Sequence, residues 1–287
     1  MSNNYFAPLQ PAIESPEAPR GRLACVGLGM TLGSHLTPLA CSHIEQADVV
    51  FAAVSDYVVE RWLETMHSDV RSLQPYYGKN KSRMTTYREW MDLIMTEVRA
   101  GKTVCGVFYG HPGIFAWSPH EAIRVAREEG FEAYMEPGIS AEDCLYADVG
   151  FDPGRVGCQH FEASQLLACE HRINPMGYLV LWQVGIVGDL TLKRFSTGKE
   201  YRQILIERLS EDYPLDHEVI IYRAATLPIE RPEIRRTTLA GLADAELTAE
   251  LTVVMPPAQT LKLNEAVAER LRELDKKSFA ELETVDD

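Results

Sequence analysis

Three short stretches of the sequence carry residue types that could hold a small molecule. A fourth carries groups that could move a proton. Tyr109-Gly110-His111-Pro112-Gly113-Ile114-Phe115-Ala116 combines two glycines, a proline and a histidine. Such a loop is stiff, and its backbone can come close to a ligand because glycine has no Cβ. Glu136-Pro137-Gly138-Ile139-Ser140-Ala141-Glu142 repeats the pattern, with Ser140 placed to cap a following helix and Asp143 at the capping-box distance. Gly27-Leu28-Gly29, with Gly33 behind it, is a loose cousin of the dinucleotide fingerprint. That fingerprint wants an acid about 20 residues on, at the end of the second strand. Asp48 precedes that strand and Asp56 follows it by a turn, so a nicotinamide cofactor is disfavoured. Read alone, each of these loops also suits an ordinary tight connection or helix cap.

The fourth stretch, residues 76–87, holds Tyr77, Arg83 and Tyr87. Arg83 and Tyr87 are four apart and share a helix face. Tyr87 also belongs to the stripe of Trp90, Met91, Ile94 and Val98, which turns its ring inward and leaves its hydroxyl in need of a partner. Tyr77 lies on the preceding loop. Two phenols and a guanidinium that converge make a basic, proton-handling cluster. The spacing by itself fits a core tyrosine beside a surface arginine better.

These stretches need elements to position them. Apolar runs at 23–26, 49–54, 70–73, 103–108 and 131–135 predict strands, and 36–47, 56–66, 83–99 and 120–129 predict the helices between them. Alternation of this kind predicts right-handed βαβ units around a mostly parallel sheet. Ligands of such sheets gather at the carboxyl ends of the strands, where all three glycine loops fall. After Gly138 the texture changes. A helix over 139–149, strands over 178–182, 219–222 and 251–255, and a helix over 200–211 are separated by longer, proline-bearing loops. They predict a second α/β subdomain with a mixed sheet, closed by Pro256-Pro257. Leu263, Val267, Leu271 and Leu274 then fall on one face of a helix that packs on the body or on a partner subunit. The expected division is a disordered tail over 1–21, an N-terminal α/β subdomain with the catalytic helix over 22–136, a C-terminal α/β subdomain over 137–257, and a helix with an acidic tail over 258–287.

Composition narrows the function classes. The 287 residues include 28 Lys and Arg against 42 Asp and Glu, a formal net charge of −14. That balance argues against a nucleic-acid partner, which needs a basic footprint. At 46% hydrophobic residues the chain can build a substantial core. No apolar run reaches the roughly 18 residues of a membrane span. The first residues lack the basic-then-apolar order of a secretory signal, so a cytoplasmic location is expected. Cys25, Cys41, Cys105, Cys144, Cys158 and Cys169 form no CxxC and read as reduced, mostly buried thiols. The histidines show no HxxxH or HxH spacing, so no metal is expected.

Taken in order, the strand with its GLG turn, YGHPGIFA, EPGISAED and YLVLWQVG resemble the tetrapyrrole methylase superfamily of S-adenosylmethionine-dependent methyltransferases. The nearer likeness is to the borosin peptide backbone α-N-methyltransferases. It rests on FYGHPG at 108–113, PGISAEDCLYAD at 137–148, FEAS at 161–164 and LVLWQ at 179–183, and it covers about residues 22–257. The resemblance implies a tetrapyrrole-methylase-like α/β fold, two subdomains with S-adenosyl-L-methionine in the cleft between them. It places the family's catalytic tyrosine–arginine–tyrosine set on Tyr77, Arg83 and Tyr87, reversing the packing interpretation. It places cofactor contacts on Tyr109, His111, Ile114, Ser140, Gln183, Ala224, Leu251 and Thr252. His111 stands where many tetrapyrrole methylases carry an acid, which points away from porphyrinoid substrates.

The implied activity is N-methylation of backbone amides of a ribosomal precursor peptide, by a homodimer. The sequence ends in KKSFAELETVDD, acidic and without a Val/Ile-rich segment. A split system is therefore expected, with the precursor a separate peptide bound in trans. The competing readings are a tetrapyrrole or other small-molecule methyltransferase, which needs a roomier pocket, and a non-catalytic cofactor-binding module.

Overall fold

The computed structural model describes residues 21–54 and 56–283. The tail expected over 1–21 lies, apart from Gly21, outside the described residues. The first sheet is built from β1 (Arg22–Gly27), β2 (Val49–Ala53), β3 (Val70–Ser72), β4 (Thr103–Phe108) and β5 (Glu132–Glu136), in the order β3-β2-β4-β1-β5. Every pairing is parallel. The strands are joined by α1 (Pro38–Glu45), α2 (Tyr57–Leu63), α3 (Arg83–Arg99) and α4 (Trp117–Glu128). The central strands β1, β2 and β4, covered on both faces, read as continuous apolar runs, which is why they were legible. The two-residue period sorts them. Leu23 and Cys25 of β1 face Trp90, Ile94 and Val98 of α3 and Ala122 of α4, whereas Ala24 and Val26 face Ala40 and Ile44 of α1 and Leu63 of α2.

The second sheet holds β6 (Cys158–Glu162), β7 (Tyr178–Trp182), β8 (Glu218–Arg223), β9 (Glu233–Thr238) and β10 (Thr252–Met255), in the order β6-β7-β10-β8-β9. It is mixed, as expected: β6 and β7 are parallel and the remaining pairs antiparallel. Helix α5 (Ala141–Val149) covers one face through Leu145, which meets Val180, Trp182, Ile220 and Tyr222. Tyr222 is fully buried there and donates its hydroxyl hydrogen bond to Asp148 at 2.7 Å. After the short helix α6 (Pro153–Val156), α7 (Ala163–Ala168) and α8 (Lys199–Leu209) cover the other face, with Leu166, Leu205 and Leu209 inward.

Two strands had no counterpart in the sequence pattern. β6 and β9 are edge strands with a single neighbour each, and β9 reads Glu-Ile-Arg-Arg-Thr-Thr with a mostly exposed face. A solvated edge has no reason to carry an apolar run.

Helix α9 (Glu265–Glu283) exists as expected, but among the described residues its apolar stripe is left exposed. Leu263, Val267, Leu271 and Leu274 keep between 48% and 65% of their surface exposed. Periodicity encodes an apolar face and says nothing about what meets it.

Only two of the six cysteines are buried, Cys25 and Cys105, and Cys169 is exposed. Burial pushes the Cys25 thiol up to about 12 and raises Cys105 as well. A thiol-reactive dye in mildly alkaline buffer should therefore label Cys169 in the native protein, and Cys25 and Cys105 only after denaturation. Peptide mapping of the labelled sites checks this. Among the described residues, no group of three His, Cys, Asp or Glu side chains could hold a metal ion, and no helix is long and apolar enough to cross a membrane.

Candidate functional site

The three glycine loops meet at the carboxyl ends of β1, β4 and β5. A Cβ on Gly27 would lie 2.3 Å from the carbonyl oxygen of Gly110 and 2.8 Å from the Cα of Gly138. The approach is too close for any side chain, so glycine is required by contact here. Gly29 and Gly110 exchange backbone hydrogen bonds of 3.1 and 2.9 Å, and Gly110 holds φ at +62°. The β1 loop is also tied to the second sheet: Thr31 Oγ1 donates to the carbonyl of Ala225 at 3.1 Å, and Leu32 N–H to that of Thr226 at 2.9 Å.

The sheet-two candidates lie at one end of that sheet. Gln183 follows β7, Ala224 follows β8, and Leu251 and Thr252 open β10, which runs antiparallel to both. Gln183 has φ +58°, while Ala224, Leu251 and Thr252 are buried. Phe115 of the β4 loop sits 5.7 Å from the Trp182 ring, bringing the two sets together. Flanking the cleft that the resemblance implies here, Ala224, Leu251 and Thr252 are buried while Tyr109, Ile114, Phe115 and Ile139 present exposed apolar side chains. A flat heterocycle with a polar tail fits such a cradle, so the residues present suit an adenosyl cofactor. A neighbouring cavity of about 700 Å³ lies between Thr31, His35, Ile139, Cys144, Ala147 and Ala225. None of the candidate site residues lines it.

His111 Nδ1 accepts the Gly113 N–H at 2.9 Å. Desolvation lowers its affinity for a proton, so the neutral ring carries its hydrogen on Nε2 and can donate outward. Ser140 performs the capping role. Its hydroxyl accepts from Glu142 N–H and Asp143 N–H at 3.2 and 3.3 Å and donates to Asp143 Oδ2 at 2.8 Å. Ser140→Ala should cost about 1 kcal/mol of stability in a denaturant melt.

The tyrosine–arginine set converges beside this cleft. The Tyr77 and Tyr87 rings meet edge-on at 6.4 Å, both against Trp90, at 5.2 and 5.5 Å respectively. Burial first, and then the hydroxyls of Tyr87 and Tyr109, push the Tyr77 hydroxyl well above the usual phenol range; Arg83 opposes this without prevailing. Tyr77 is thus held as a neutral hydrogen-bond donor, and the arginine does not depress it. Tyr109 exposes 55% of its surface, yet its hydroxyl is also pushed up, by desolvation first and then by Tyr87 and Glu250. Trp90 is 5% exposed, and its indole N–H has no hydrogen-bond partner among the described residues, leaving a buried donor within the cluster.

Arg83 opens α3 and is held from the other half of the molecule. Its backbone N–H donates to Leu192 O at 2.8 Å, and its guanidinium donates to Arg194 O and lies 3.5 Å from Asp189 Oδ2. Phe195 of the same loop packs on Tyr77 at 6.0 Å. Burial alone would raise the Asp189 carboxyl; hydrogen bonds from Thr191 and Arg194, with the Arg83 charge, outweigh it and hold it below the usual carboxylate range. A depressed carboxyl stabilises the fold above its unfolded pKa, and that contribution is lost as pH falls toward the folded value. The stability difference between wild type and Asp189→Asn should therefore shrink below about pH 4, read by denaturant melts across pH. Trp90 was legible as part of the apolar stripe, whereas nothing in the spacing of Asp189 or Phe195 marked them beforehand.

Residues 22–243 match the family model for tetrapyrrole (corrin/porphyrin) methylases. The chain is 40% identical over 251 residues to a methyltransferase/ribosomally synthesized gymnopeptide precursor of Gymnopus fusipes, covering 85% of this chain and 59% of that one. It is 41% identical over 252 residues to a methyltransferase/type I borosin cyclic peptide precursor of Coprinopsis marcescibilis, covering 86% and 64%. Against the methyltransferase/omphalotin A precursor of Omphalotus olearius it is 37% identical over 263 residues, covering 90% and 63%. The chain thus spans about 60% of the length of these relatives. Among solved structures it resembles a cobalt precorrin-4 methyltransferase, with TM-score 0.61 and 17% identity over 84% of this chain and 97% of that one. A uroporphyrin-III C-methyltransferase from Thermus thermophilus aligns with TM-score 0.58 and 19% identity over 83% and 93%. At such identities these two show the fold alone.

One expectation is overturned. The relatives join methyltransferase and precursor in a single chain, against a separate precursor peptide supplied in trans. The acidic stretch at 276–287 carried that expectation, and the composition of one terminal segment has no bearing on how the peptide is tethered.

Proposed function

The chain belongs to the tetrapyrrole (corrin/porphyrin) methylase family, and on that premise we propose that it transfers a methyl group from S-adenosyl-L-methionine to the backbone amide nitrogen of a peptide. The observation that carries this reading is the convergence of Tyr77, Tyr87 and an anchored Arg83 beside the glycine-loop cleft. The names of the relatives, which join methyltransferase to a ribosomal peptide precursor, support the substrate class.

An amide nitrogen is a poor nucleophile because its lone pair is shared with the carbonyl. The chain's residues must draw electron density onto the amide oxygen and take the nitrogen's proton. Tyr77, held protonated, donates a hydrogen bond to that oxygen. Arg83 offsets the negative charge that develops on it, from a fixed position and with donors to spare. Tyr87 relays the proton, passing its own hydroxyl hydrogen to water as it accepts that of the amide. Bound in the cleft, S-adenosyl-L-methionine supplies an electrophilic methyl on a sulfonium. Tyr109, His111, Ile114, Ser140, Gln183, Ala224, Leu251 and Thr252 would hold it, and orienting the two reactants supplies much of the acceleration.

Titration calorimetry tests the cofactor assignment. Saturable binding of S-adenosyl-L-methionine or S-adenosylhomocysteine without added metal is expected. No heat with either, together with tight binding of NADPH, would overturn the assignment.

A further inference from the structure

We propose that Asp189 is the positioning residue for Arg83, the group through which the C-terminal half of the chain sets the guanidinium of the candidate catalytic cluster; this rests on the role given to Arg83 above. Asp189 follows the second sheet's strand β7 by one short turn, and its side chain is 0% exposed, against 12% for that of Arg83. A carboxylate so enclosed must be fully paired. Its oxygens accept the Thr191 N–H at 3.1 Å, the Thr191 hydroxyl at 2.6 Å and the Arg194 N–H at 2.9 Å. The fourth neighbour is Arg83, at 3.5 Å.

Those bonds shape the loop that reaches α3. By binding both Thr191 and Arg194, the carboxylate folds the backbone between them so that two carbonyls face Arg83. One, of Leu192, accepts the backbone N–H that opens the helix, where the N-cap Ser82 supplies no side-chain bond. The other, of Arg194, accepts from the guanidinium. The fold pays for this shape with Leu192 at φ +58°, a left-handed conformation that a branched side chain adopts only when its surroundings require it. The loop has separate anchors of its own: Thr197 N–H donates to Gly185 O at 2.9 Å, and Gly188 N–H to Ser164 Oγ at 3.0 Å. Asp189 therefore does more than close the loop. It places one charge and one carbonyl around the guanidinium, which a planar fork can meet together and an ammonium cannot, and a second carbonyl on the backbone N–H of the same residue.

Two measurements on the intact chain test this. The first is a kinetic double-mutant cycle of Asp189→Asn, Arg83→Gln and the pair. Turnover should fall roughly 10–100-fold for Asp189→Asn, as for other outer partners of a reacting group. The dissociation constant for S-adenosyl-L-methionine should stay unchanged, and the double variant should be no worse than Arg83→Gln alone. Losses that add independently, or a turnover loss that tracks melting temperature and is matched by Thr191→Val, would overturn the proposal. The second does not depend on turnover. Phenylglyoxal modification, located by peptide mapping, should spare Arg83 in the wild type while labelling Arg88 on the exposed side of the same helix, and should reach Arg83 in Asp189→Asn. Arg83 labelled as fast as Arg88 in the wild type would overturn the proposal even if the variant failed to fold. A wild type that neither binds S-adenosyl-L-methionine nor methylates would refute the functional reading, and the labelling result would still decide the clamp.

Discussion

Tyr87→Phe is expected to lower turnover by roughly 10²–10⁴-fold, the usual worth of a positioned proton-transfer group, with the melting temperature close to that of wild type. The substitution removes one hydroxyl and little volume. Tyr87 is only partly buried, and its ring contact with Trp90 at 5.5 Å survives the change. Arg83→Lys should fail in parallel, because a lysine cannot engage Arg194 O and Asp189 while keeping a planar face for the substrate. Turnover and thermal melting measured on the same preparations separate chemistry from packing. A well-folded Tyr87→Phe variant with near-wild-type turnover would remove Tyr87 from the mechanism.

Gly138→Ala is expected to have the second largest effect, through geometry alone. The added methyl would sit 2.3 Å from the carbonyl oxygen of Gly110 and 2.8 Å from the Cα of Gly27. Both are backbone atoms at the junction of three loops, so no side chain can swing aside. Relieving the clash means parting the loops after β1, β4 and β5. The cost should be roughly 1–3 kcal/mol of stability, the range for overpacking a tight site. Affinity for S-adenosyl-L-methionine should fall by more than tenfold, since 1.4 kcal/mol is already a factor of ten. Gly130→Ala is the control: that glycine has φ +84° but open space around a Cβ, so it strains the backbone without touching the cleft. A Gly138→Ala variant with unchanged affinity would detach the loop junction from the cofactor site.

The parallel sheet was legible because buried parallel strands leave no solvent face to interrupt an apolar run. α3 was legible for a related reason: Tyr87, Trp90, Met91, Ile94 and Val98 recur at helical spacing, and the helix runs over Arg83–Arg99 as that stripe requires. The glycine loops were legible as types, but their mutual contact was not. Local sequence cannot say that Gly27, Gly110 and Gly138 will meet within a Cβ's reach.

The hold on Arg83 was least visible of all. Asp189, Leu192 and Arg194 lie in a loop that turns left-handed at Gly188 and again at Leu192, and a leucine does not announce that conformation. Their relation to Arg83 exists only once the two sheets are assembled. The α9 stripe shows the converse limit, a clear periodicity whose apolar face the described residues leave uncovered.

The most direct test of the central claim is tandem mass spectrometry after incubation with methyl-labelled S-adenosyl-L-methionine, reading both the chain's own peptides and an added Val/Ile-rich peptide. The account predicts labelled methyl groups on backbone amide nitrogens, recognised by fragment ions that place the added mass on the main chain, and their loss in Tyr87→Phe. Cofactor binding with no N-methyl amide on any peptide, or label transferred instead to uroporphyrinogen or another tetrapyrrole, would contradict it.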